Sequence, residues 1–165
     1  MTEHETSMTE HETSPELTPT LAETARRRAD LHHALIGVER AISSPAVGRE
    51  DDWTKDVVVQ LQDLRHALEE HIEVTEREQG LYAEVCQRAP RLSNAVDRLR
   101  AEHPEMHDAA VSTIEKLEAT PVGEAWPLPE ARDELQRLLG RVVRHRQLGA
   151  DLVWEAYNLD IGGLE

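Results

Sequence analysis

Phenylalanine is absent from this 165-residue chain, and aromatic residues make up only 3% of it. A core without them must be built from Leu, Val, Ile and Ala, a palette that favours helices over a β-sandwich. Cysteine is nearly absent too. The single Cys86 excludes a disulfide within the chain and fits a reducing, cytoplasmic compartment. No apolar run approaches the roughly 18–20 residues that cross a bilayer, and no secretory apolar segment follows the N-terminus. Positive charge is also scarce. Against 33 Asp and Glu stand 18 Lys and Arg, a net charge of -15. That sign repels nucleic acid and anionic membrane surfaces, so neither is expected as a partner. The length suits one domain able to fold alone.

What the chain does have is organisation. Residues 1–14 read "MTEHETS" twice, a polar duplication without an apolar face. Residues 1–19 are therefore expected to form a disordered tail, and residues 20–165 a folded bundle. In the latter, four amphipathic segments alternate with breakers. They run from about 20 to 43, 51 to 79, 91 to 118, and from "PLPEARDEL" to about 158. The second segment can resume through "LYAEVCQRA". Asp51 or Asp52 can cap the second segment, and Pro129 suits a first helical turn. Short links between long helices predict an all-α, antiparallel up-down-up-down four-helix bundle.

Nine histidines invite a question of direction. At roughly 100° per residue, each is placed against its own apolar stripe. His71 falls within the stripe of the second segment, and His103 and His107 within that of the third. His145 lies at the edge of the fourth stripe and His32 on the flank of the first, while His33 and His66 point outward. The midpoints of His32 with His71, of His71 with the 103/107 pair, and of that pair with His145 all fall in or beside breakers. In an antiparallel bundle such residues share a level, so five imidazoles are expected to converge. Buried imidazoles need partners, and one metal centre satisfies all of them. The accompanying carboxylate comes from "HIEVTEREQG": Glu76 is nearer in height, Glu78 nearer the apolar face. Glu39 and Glu102 can orient the rings from their far nitrogens. Pro104, between His103 and His107, is expected to bend the third helix or start it anew.

These residues resemble the hemerythrin-like (HHE cation-binding) domains. Their pattern is a His on the first helix, H-x3-E on the second, H-x3-H on the third and H-x4-D on the fourth. "LHHAL" offers His32, "HIEVTEREQGLY" offers His71 with a downstream glutamate, "HPEMH" matches with His103 and His107, and "RHRQLGADLVWEAY" supplies His145. The chain departs from the pattern at Thr75, where a bulge would bring Glu76 into line, and at Ala150, with Asp151 one residue late. The resemblance implies a hemerythrin-like bundle with a non-haem di-iron centre that binds or reduces O2, peroxide or NO, with manganese or zinc as other metals. Two other readings stand beside it. One is a di-iron oxygenase or peroxidase with an organic substrate in a pocket made by Gly149 and Ala150. The other is a bundle that stores or senses metal without catalysis.

Overall fold

The computed structural model describes residues 17–123, 126–158 and 161. The duplicated MTEHETS segment thus lies outside the described residues. Among those described, the chain is all-helical, with no strand and one isolated bridge between Val122 and Trp126. Four long helices carry it: α1 (Pro19–Ser43), α2 (Glu50–Glu76), α4 (Ser93–Ala119) and α5 (Leu128–Tyr157). A short α3 (Leu81–Arg88) and one 3-10 turn (Pro90–Leu92) link α2 to α4. α1 packs on α2, α2 on α4, α4 on α5, and α5 on α1.

Local chemistry sets the ends. Thr18 caps α1, its hydroxyl accepting from Leu21 N–H at 3.2 Å, with Pro19 in the first turn. The cap of α2 differs from expectation. Arg49 stands there, and Asp51 and Asp52 sit inside the first turn, where their charge favours the positive end of the helix dipole. Pro129 is in the first turn of α5, as its missing N–H allows. Asn158 ends α5 in the left-handed region (φ 56°). Pro104 does not start α4 anew, because one continuous helix runs through it. α2 is likewise regular through Thr75 and Glu76, without the bulge expected there.

Buried apolar residues form two clusters. The larger joins Leu35, Val38, Trp53, Leu61, Leu64, Ile114, Leu135 and Val142 from all four long helices. The smaller gathers Leu21, Tyr82, Val85, Val96, Leu99 and Val153 around α3 and the ends of α4 and α5. The stripes read from periodicity are buried nearly throughout, Ile72 and Ala156 being half-buried. No described helix is long and apolar enough to cross a membrane.

Candidate metal centre

α2, α4 and α5 each bring one histidine to a common point. His71, His103 and His145 occupy core-facing positions of their helices, so packing buries them, His103 and His145 to 1% exposure. His145 Nε2 lies 3.1 Å from His71 Nε2 and 3.1 Å from His103 Nε2. One ring nitrogen from each of the three falls within 4.8 Å of the others, the one such group of His, Cys, Asp or Glu among the described residues.

The outer nitrogens decide what the inner ones present. His103 Nδ1–H donates to Glu76 Oε1 at 2.5 Å, and His145 Nδ1–H donates to Glu102 Oε2 at 2.7 Å. A neutral imidazole carries one N–H, so both inner Nε2 atoms are bare lone pairs facing each other. A proton on either would repair the contact, but burial opposes it. Desolvation pushes His103 down to about 4, outweighing the pull of Glu76. His145 is lowered by desolvation against the pull of Glu102. Desolvation also holds His71 well below the usual histidine range, helped by the positive charge of His145, His103, Arg28 and Arg146. A cation at the centre resolves the clash. Metal–nitrogen bonds of about 2.0–2.1 Å put ligand nitrogens about 2.9 Å apart at a right angle and about 3.3 Å apart in a tetrahedron. The two separations from His145 Nε2, 3.1 Å each, lie between these limits, and all three ligand atoms lie within 4.8 Å of one another. Carboxylates on the far nitrogens orient imidazole ligands and raise their basicity.

A cavity adjoins this point, lined by Thr24, Arg28, Thr75 and Tyr82 together with His71 and His145. It offers about 20 Å³ to the centre of a water-sized ligand, above the roughly 10–15 Å³ that one water needs. Thr24 Oγ1 and His71 Nδ1 are buried there without a hydrogen-bond partner from the protein. Arg28 Nη1 donates to the carbonyl of Arg146 at 2.7 Å, tying α1 to α5 beside the cavity.

Tyr82 enters from α3. Its hydroxyl is 3.2 Å from His103 Nε2, and its ring stacks on that imidazole at 5.7 Å. Gly80 makes the approach possible. A Cβ there would lie 2.6 Å from the Val74 carbonyl oxygen and 3.0 Å from those of Thr75 and Arg77. Only glycine lets the chain turn so tightly between α2 and α3. Burial pushes the Tyr82 phenol far up, while the neighbouring Thr75 hydroxyl pulls the other way.

The other expected ligands stand apart from this cluster. His107, one turn beyond His103, is partly exposed and pairs with Glu69 at 3.0 Å. His32 is half-buried beside His33, their rings 6.2 Å apart. The α1 residues level with the centre are Thr24, Arg28 and Leu31. Glu78 is exposed beyond the end of α2. Glu76 approaches the centre, but on the outer nitrogen of His103. Asp151 is exposed and accepts from Gln147 at 2.9 Å. His33 and His66 are exposed, as their phase predicts.

Periodicity did not single out Tyr82, Arg28 or Arg146. The arginines left a signal, since Arg28 lies three residues before Leu31 and Arg146 four after Val142, both on apolar stripes. Tyr82 left only the glycine two residues earlier. Against known proteins, the chain matches no family model, no curated protein and no solved structure at significance.

Proposed function

We propose that this chain is a hemerythrin-like protein, an up-down-up-down bundle whose core holds a transition metal for binding O2, peroxide or NO. One observation carries the reading. Two imidazoles, locked by Glu76 and Glu102 as Nδ1–H tautomers, face each other with bare nitrogens 3.1 Å apart. A cation shared by the two nitrogens makes that contact favourable without protonating a desolvated ring; without one, the Tyr82 hydroxyl is placed to donate to His103 Nε2 and an Nε2–H on His71 to His145 Nε2.

The donor set supports one ion rather than two. Three nitrogens converge on one point, and the nearby carboxylates are engaged with outer nitrogens. Iron is the metal implied by the resemblance, and zinc suits the same donors. Three protein nitrogens leave coordination positions open. The adjoining cavity of about 20 Å³ is of a size for a diatomic or water-sized ligand, which favours small-ligand chemistry over an oxygenase. When bound, the metal supplies Lewis acidity and, as iron, one-electron chemistry at that open position. The chain orients the rings, keeps bulk water out and holds carboxylates on the outer nitrogens.

Protein purified from iron-supplied cells is expected to hold about one metal per chain, with near-ultraviolet absorption that changes on adding O2, peroxide or NO. His145→Ala is expected to abolish loading and His66→Ala to leave it intact. A colourless, metal-free protein whose thermal stability ignores added iron, zinc and manganese would sink the reading. Equal metal loss in His66→Ala would show that loading depends on surface histidines.

A further inference from the structure

We propose that Tyr82 Oη is a fourth protein ligand of this metal, bound as phenolate when the ion is ferric iron. The inference rests on the three-histidine reading above and adds an anionic donor to it.

Three observations converge on the hydroxyl. It lies 3.2 Å from His103 Nε2, close to the 3.1 Å that separates His145 Nε2 from each of the other two imidazole nitrogens. An oxygen at that distance from one donor sits where a shared ion would place the next. Tyr82, His71 and His145 also line one cavity, so the phenol faces the same space as the other two rings. Finally, the position is held rigidly. The ring stacks on His103 with an interplanar angle of 15°, and the carbonyls crowding Gly80 fix the turn that delivers it.

Charge supplies the reason. Three neutral imidazoles leave a ferric ion's charge uncompensated in a desolvated core, which is costly. The α2 residue one turn after His71 is the neutral Thr75, whose hydroxyl donates to the His71 carbonyl at 2.8 Å. Glu76 and Glu102 face outer nitrogens. A phenolate brings negative charge directly onto the ion. On coordination the O–H bond breaks, the oxygen–iron bond forms, and the proton leaves to solvent, with no change in iron valence. Without metal, the same hydroxyl donates to His103 Nε2.

The test loads the full chain with ferric iron and measures iron content, visible absorption and resonance Raman scattering. The expected result is one iron per chain, a visible phenolate-to-iron charge-transfer band, and enhanced phenolate ring modes. Tyr82→Phe keeps the iron and loses the band, whereas Tyr157→Phe, at the only other tyrosine, keeps both. Should Tyr82→Phe fail to fold, Raman spectra of the wild type and Tyr157→Phe still decide. Bound iron without phenolate modes overturns the proposal and leaves the three-histidine reading standing. Absence of iron uptake overturns it as well, and zinc or manganese uptake then decides whether the three-histidine reading falls with it.

Discussion

The larger apolar cluster and the histidine layer are both buried across the same long helices, yet they are held by opposite means. Around Leu61, Leu64 and Leu135, each 0% exposed, the side chains are satisfied by contact alone, and Trp53 needs only the hydrogen bond from its indole Nε1–H to the Ile42 carbonyl at 3.4 Å. The cluster's stabilisation is set by area and fit and involves no titratable group or metal ligand. At His71, His103 and His145, burial removes water from groups that need partners, and the carboxylates satisfy two outer nitrogens while the inner ones confront each other. On the proposed reading, a cation at that layer would supply the partner the inner nitrogens face. The same fold thus contains one region held by apolar contact and one level whose polar groups depend on their partners.

The largest expected effect that sharpens this contrast comes from the apolar half. Leu64→Ala is expected to cost about 2–5 kcal/mol by lost transfer energy and a residual cavity. Denaturant titration should give the same loss with and without added metal. A loss that vanished on metal addition would mean the two regions are coupled.

Glu102→Gln acts on the other region. It keeps the shape but withdraws the carboxylate from His145 Nδ1. Metal affinity is expected to fall about 10–100-fold, the usual cost of losing such an outer partner. Competition with a chromophoric chelator measures it, and stability of the metal-free protein should scarcely change. Unchanged affinity would mean that the carboxylate does not orient a ligand.

Mild acid is the gentlest probe. His71, His103 and His145 titrate below their unfolded value of about 6.5, His103 near 4. Below pH 6.5 the unfolded chain therefore takes up protons that the native chain refuses. Metal-free protein is expected to keep its stability above pH 6.5 and lose it progressively as pH falls towards 4. Melting temperatures across that range check the slope. His145→Leu, which removes one of these groups, should flatten it.

Much of this was legible without coordinates. The apolar stripes, the breakers and the inward phase of His71, His103 and His145 are properties of residue spacing, and helical geometry converts spacing into direction. Glu102 was also visible, one residue before His103 and able to reach a far ring nitrogen. His107 and His32 show where spacing stops. Both have a defensible phase, but a coordination centre is only one side chain thick. His107, a turn further along α4, meets Glu69 at the surface, and α1 presents Thr24, Arg28 and Leu31 at that level. Phase gives a bearing, whereas depth depends on helix register against neighbours.

Sequence by itself determined that this chain is helical, acidic and apolar-cored without phenylalanine, and that histidines face inward from several helices. Those facts follow from composition and a 3.6-residue period, which are local. Tertiary structure alone decided which three rings meet, that Glu76 takes an outer nitrogen rather than the centre, and that Tyr82 arrives from the short α3. These depend on distances between residues 32 to 74 positions apart for the rings, and on the tight turn at Gly80, where neighbouring carbonyls leave no room for a side chain.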